Sequence, residues 1–170
     1  MFQGYIDEGV AGTLLFQLRT AAGAPVEPDA APAFKVFGPN GLVTGGDGNA
    51  SAFESGNVTG ATNATPIVIA AGAHTVKTGQ SVTSASVGGN AAANGSFIAT
   101  YVSTTQFSLD SSVGNGAYTS GGTWKTTGLY KVAISGALLS ALQAGVTYTI
   151  VVTWLESTAR RCLQATFTVR

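Results

Sequence analysis

Apolar and polar positions alternate with a period of two in segments spread along the whole chain, the pattern of half-buried β-strands. Thr13–Arg19 (TLLFQLR), Ala33–Phe37 (AFKVF), Leu129–Ile134 (LYKVAI), Thr147–Trp154 (TYTIVVTW) and Cys162–Val169 (CLQATFTV) each predict a strand. Turn residues bound them: Asp7-Glu8-Gly9 ahead of the first, Gly23-Ala-Pro25 behind it, and Gly38-Pro39-Asn40-Gly41 after the second. One stretch has a different period. Leu138, Leu139 and Leu142 recur at helical spacing within Ser135–Gly145, and Gly145 stands where a C-terminal cap belongs, so one short helical turn is expected there. Strand parity assigns Leu14, Phe16, Leu18, Val36, Tyr130, Val132, Tyr148, Ile150, Val152, Trp154, Leu163 and Phe167 to a core.

The middle of the chain is different. From Thr59 to Trp124 the only formal charges are Lys77 and Asp110, and Gly, Ala, Ser, Thr and Asn dominate. Pro66–Ile69, Ser81–Thr83, Ser96–Val102 and Gln106–Leu109 remain strand candidates, separated by glycine turns, and Phe97, Tyr101, Phe107, Tyr118 and Trp124 are enough to fill a small barrel. The flanks hold too few strands to close a sandwich separately, and about seven when combined, the count of an immunoglobulin-like domain. The expected fold is therefore all-β. A discontinuous sandwich, residues 1–57 and 126–170, is interrupted by an inserted β-barrel module, residues 58–125, with one short helix.

Two resemblances support that division. Leu142-Gln-Ala-Gly145-Val-Thr-Tyr148 resembles the approach to strand F in immunoglobulin-like and fibronectin-like sandwiches. There a Leu packs the corner, a Gly turns it and a Tyr hydroxyl bonds back to the backbone, which makes Leu142, Gly145 and Tyr148 fold-defining residues. The second covers about 65 residues and runs through Gly60–Ile69, Ala73-His74, Thr78–Val82, Val87–Gly95, Thr104–Leu109 and Gly116–Thr123. These segments resemble a small β-barrel module of tailed-bacteriophage and prophage virion proteins, one often likened to a β domain of ubiquitin-activating enzymes. The resemblance implies a fold and a virion setting. It implies no ubiquitin-activating chemistry, because the module contains no Cys. The module's usual His-Gly-Leu is His74-Thr-Val here. By pattern, the outer sandwich is similar to baseplate and head-decoration proteins of phages.

Charge and chemistry narrow the function. Lys+Arg and Asp+Glu are 8 each in 170 residues, so no basic excess exists for a phosphate-led nucleic-acid interface. Charged residues make up 9%, against about 25% in an average globular domain. The N-terminus MFQGYIDEGV lacks the basic start of a signal peptide, and Val146–Leu155 is about half a bilayer span, so synthesis in a host cytoplasm and no membrane partner are expected. No G-x-x-x-x-G-K-[ST] or G-x-S-x-G motif occurs. His74 reads as a surface turn residue and Cys162, the one cysteine, as a core thiol. Asp7-Glu8 with Asp47 or Glu54 has no calcium-loop spacing. Arg160-Arg161 reads as a hairpin tip and supplies the candidate partner contacts.

No catalytic, cofactor or metal residue emerges, and the chain is expected not to be an enzyme. Three functions fit. The first is a capsid decoration or cement protein on the major capsid lattice of a phage virion, assembled as a homo-oligomer. The second is a tail, baseplate or head–tail connector component. The third is a glycan-binding host-recognition module using Trp124, Trp154, Tyr101 or Tyr118; a hydrolase is disfavoured because Asp110 is the only carboxylate inside the insert.

Overall fold

Alternating β-branched and aromatic residues become strands because one face of each can be buried while its backbone pairs with neighbours. The structure is a computed structural model that describes residues 3–6 as backbone and residues 12–20 and 22–170 with side chains. The expected turn at Asp7-Glu8-Gly9 lies outside the described residues. Along the chain come β1 (Gln3–Ile6), β2 (Thr13–Gln17), β3 (Ala33–Gly38), β4 (Gly41–Asn49) and β5 (Ser51–Ala52). Then follow β6 (Ser55–Ala61), β7 (Ile67–Ala71), β8 (Gln80–Ala85), β9 (Gly95–Ser103), β10 (Gln106–Leu109) and β11 (Thr123–Thr126). The chain ends with β12 (Leu129–Ala133), helix α1 (Gly136–Ala141), β13 (Thr147–Glu156) and β14 (Ala159–Val169). The fold is all-β, an immunoglobulin-like sandwich interrupted by a small closed barrel.

The sandwich has a five-stranded sheet, β1-β14-β13-β3-β4, and a three-stranded sheet, β2-β12-β5. β1 runs parallel to β14, and every other pair in the larger sheet is antiparallel. In immunoglobulin lettering, β14, β13, β3 and β4 take the places of G, F, C and C′, and β2, β12 and β5 those of B, E and D. The core is the inward parity set: Leu18, Val36, Tyr130, Val132, Tyr148, Ile150, Val152, Trp154 and Phe167 are all buried. Leu14, Phe16 and Leu163 pack against them and are partly buried.

The corner before β13 takes its shape from three residues. Gly145 adopts φ +78°, a left-handed conformation that glycine reaches without strain. Its amide donates to the Val169 carbonyl at 2.9 Å. Leu142 is buried beneath the turn. The Tyr148 hydroxyl accepts from the Gln143 amide at 2.9 Å, and its ring stacks on Phe167 at 5.7 Å. A Cβ on Gly38 would stand 2.9 Å from the Tyr148 ring, so β3 can pass only because that residue has no side chain. Helix α1 is capped by Ser135, whose hydroxyl accepts from the Leu138 amide at 3.2 Å.

The barrel closes in the order β10-β7-β6-β11-β8-β9, with β9 pairing back to β10 and all neighbours antiparallel. Closure gives every strand of the barrel a partner on both sides over at least part of its length. Its core holds Val58, Ile67, Ile69, Val76, Val82, Phe107, Leu109 and Trp124. The barrel sits between the strands equivalent to D and E, and its wall extends beyond residues 58–125. Ser55–Asn57 pairs with Thr123–Lys125, so β6 begins before Val58. The compact unit that contains the barrel comprises Arg19–Pro25 and Ala52–Leu129, while residues 1–18, 26–51 and 130–170 form the other.

Two outcomes are expected. Tyr148→Phe leaves the Gln143 amide without its acceptor and destabilises the protein by about 1–3 kcal/mol; an unchanged midpoint in urea unfolding refutes the role given to the corner. Replacing residues 55–126 with a short Gly/Ser bridge leaves a sandwich that unfolds cooperatively. A chain that has lost its sheet signal in circular dichroism shows the two units to be interdependent.

Candidate functional site

The loop between β7 and β8 is short of charge and rich in small residues, yet it is firmly held. The His74 amide donates to the Thr104 carbonyl at 2.9 Å. The Thr75 amide and hydroxyl donate to the two Glu54 carboxylate oxygens at 2.7 and 3.2 Å. The Lys77 amide donates to Gln80 Oε1 at 2.9 Å, and Val76 is fully buried. These anchors drive the His74 ring into the end of the barrel. There it stands edge-on to Phe107 at 5.2 Å, Trp124 at 5.8 Å and Tyr101 at 6.3 Å. Phe107 and Trp124 meet edge-on at 5.1 Å. All four separations suit the edge-to-face geometry that aromatic quadrupoles prefer.

His74 is thus 7% exposed, not the surface turn residue that its small, polar neighbours suggest. Among the described residues neither ring nitrogen has a hydrogen-bond partner, and neither has the buried Trp124 Nε1. The cluster plugs that end of the barrel with aromatic packing.

Arg160 and Arg161 follow Ala159, the first residue of β14, just after the Ser157-Thr158 turn, whose φ angles of +47° and +78° make the reversal tight. Arg161 Nε bonds Glu156 Oε2 at 3.1 Å, an exposed pair of the kind that contributes up to about 1 kcal/mol. Arg160 borders a shallow depression of about 190 Å³ with Ala30, Trp154 and Leu155. Leu155 is exposed, so this end of the sandwich offers a cation beside apolar surface. Cys162 is exposed and not a core thiol. It lies opposite Thr153 on β13, and the inward parity belongs to Leu163 and Ala165.

The aromatic residues considered for glycan stacking share no open face. Trp124 and Trp154 are buried, the Tyr118 hydroxyl donates to the Val58 and Gly121 carbonyls at 3.1 Å each, and Tyr101 is exposed. Among the described residues no group of three or more His, Cys, Asp and Glu side chains could hold a metal ion. Asp7 and Glu8 lie outside the described residues, and Glu54 is engaged by Thr75.

The Tyr130 hydroxyl donates to Glu27 Oε2 at 3.1 Å inside the sandwich. Burial first, then the Glu27 charge and that hydrogen bond, push its pKa far above the ordinary tyrosine value. Compared with known proteins, the chain matches no protein-family model and no curated sequence.

The Tyr130 environment sets an alkaline limit. The folded state keeps the phenol proton where the unfolded chain, with a tyrosine pKa near 10, releases it. The stabilisation is complete below about pH 10 and declines as pH rises beyond it. Denaturant titrations between about pH 8 and 11 are expected to show stability falling at the upper end. Tyr130→Phe removes most of that fall even though it loses a hydrogen bond; an equal pH slope in both proteins refutes the assignment.

Proposed function

We propose that this protein is a structural component of a tailed-bacteriophage particle, a decoration or cement protein bound to the major capsid lattice, and that it works by packing and not by catalysis. The supporting observation is the outer wall of the barrel. Between Thr59 and Trp124 only two side chains carry formal charge, and Ile98, Val102 and Val113 are 45, 48 and 63% exposed. A wall of Ser, Thr, Gly and exposed aliphatic residues suits burial against other protein surfaces more than permanent exposure to water. In this reading the sandwich anchors and oligomerises, with Arg160, Arg161 and Leu155 as its contact residues. The barrel bridges neighbouring subunits or projects from them. The likeness of its strand and turn segments to virion β modules supports the same setting.

Contacts made by such a surface are screened little by salt, because ions weaken charge pairs and leave apolar burial intact. Particles are expected to carry the protein in hundreds of copies on the head and to retain it at roughly 0.5 M salt, where the Debye length is well under 10 Å. A stoichiometric gel of purified particles checks the first point and sedimentation after the salt shift the second. A handful of copies assigns the chain to the tail, baseplate or connector. Release by salt transfers the docking role to Arg160 and Arg161.

A further inference from the structure

The barrel wall has a gap. β7 pairs with β6 only from Val58 onward, so Ser55–Asn57 has β11 on one side and the Gly72–Ala73 lip on the other. Between them is an opening of about 330 Å³ lined by Ser55, Gly56, Asn57, Thr59, Ala73 and Trp124. Trp124 is 3% exposed, and its Nε1–H has no acceptor among the described residues. A Cβ on Gly56 would stand 3.0 Å from that nitrogen, so glycine alone leaves the indole edge turned toward the gap.

We propose that this gap binds one sugar residue of a neutral saccharide. The rim decides the class of ligand. Ser55 and Thr59 present hydroxyls and Asn57 an amide, groups that both donate and accept, as sugar hydroxyls do. No lining side chain named here carries a charge, and the Glu54 carboxylate is engaged by Thr75. An ionic ligand therefore finds no counter-charge in the rim. The volume lies at the lower end of the roughly 300–1,000 Å³ of ligand pockets, the scale of a single ring. The orphan indole N–H is a donor that a sugar hydroxyl oxygen satisfies. Nε1 is closed to water, and the Ala71 and His74 amides pin the lip on either side through the Thr105 and Thr104 carbonyls at 2.9 Å each, so the hydroxyl reaches Nε1 by a local shift of Gly72–Ala73 alone. Trp124 is too deeply buried to offer a stacking face, so recognition runs through the indole N–H and the polar rim.

The inference is independent of the particle assignment and is tested on the full chain. The ¹⁵N-labelled protein is titrated with glucose, galactose and N-acetylglucosamine, each to roughly 100 mM, enough to populate a site of millimolar Kd. Trp154→Phe identifies the Trp124 indole resonance. The expected result is a saturable shift of the Trp124 Nε1–H and Ala73 amide resonances with at least one sugar. Gly56→Val, which fills the gap, abolishes it. Should Gly56→Val fail to fold, Thr59→Val at an exposed position keeps the shape and raises the Kd about five-fold, the equilibrium effect of one ordinary hydrogen bond. No saturable movement of Trp124 with any of the three sugars overturns the proposal. So does a response unchanged by both substitutions.

Discussion

The architecture depends on the side-by-side pairing of the barrel's first and last strands. β6 and β11 are neighbours in the closed wall, with Ser55, Gly56 and Asn57 opposite Lys125, Trp124 and Thr123. Just outside them, the Thr126 amide donates to the Glu54 carbonyl at 2.9 Å, and the Phe53 amide to the Leu129 carbonyl at 2.8 Å. The chain therefore enters and leaves the barrel through one narrow neck. Such a neck asks of the surrounding fold only what a short D–E loop asks, two ends held close together. Chain closure adds little entropy loss as a loop lengthens, and here the inserted residues organise their own core. A closed barrel suits this position because a module with free strand edges at the same place could pair with the sandwich or with another chain.

The outer strands were legible in the sequence because their two faces differ in polarity. Thr147–Glu156 alternates buried and partly exposed side chains along β13, so parity alone identified Tyr148, Ile150, Val152 and Trp154 as core. β4 was not legible. Its sequence GLVTGGDGN has no alternation, and its strand character comes from pairing with β3 across a register shift between Lys35 and Phe37. Gly46 fits there because a Cβ would stand 2.8 Å from the Val43 carbonyl oxygen and 3.1 Å from Val36. Glycine in this strand marks close backbone approach, a tertiary condition that local propensity does not encode. β6 and β11 were missed for a related reason: SGNVTGA and TWKT are short and polar, and barrel closure makes them strands.

The same distinction governs the barrel end. Phe107 and Trp124 were expected inside a barrel on hydrophobicity, and both are buried. His74 was not, because a lone imidazole between Ala73 and Thr75 carries no local sign of burial. Its position follows from contacts far away in sequence, with Glu54 fixing Thr75 and Thr104 fixing the His74 amide. Leaving two imidazole nitrogens and an indole N–H without partners is unfavourable, since a buried unpaired polar group loses about 1–3 kcal/mol. The edge-to-face contacts of His74 with three aromatic rings, each worth about 0.5–1.5 kcal/mol between aromatic side chains, oppose that loss. The plug is held by quadrupole and dispersion contacts in place of hydrogen bonds, and that choice is invisible without coordinates.

Charge is distributed to match the two units. Of the 16 formally charged side chains, Lys77 and Asp110 alone fall between Thr59 and Trp124, although that stretch is more than a third of the chain. The others lie outside that stretch, among them Arg161, which pairs with Glu156, and Glu27, which accepts from Tyr130. The interactions available to each unit therefore differ in kind. The sandwich can use ionic contacts, which are long-ranged and are screened beyond about 10 Å at 0.1 M salt. The barrel, with few formal charges, relies mainly on short-range packing and hydrogen bonds, which reward shape complementarity and gain little from approach at a distance. An association using both surfaces has a natural order: charge can bias the encounter through the sandwich, and close fit at the barrel then limits dissociation.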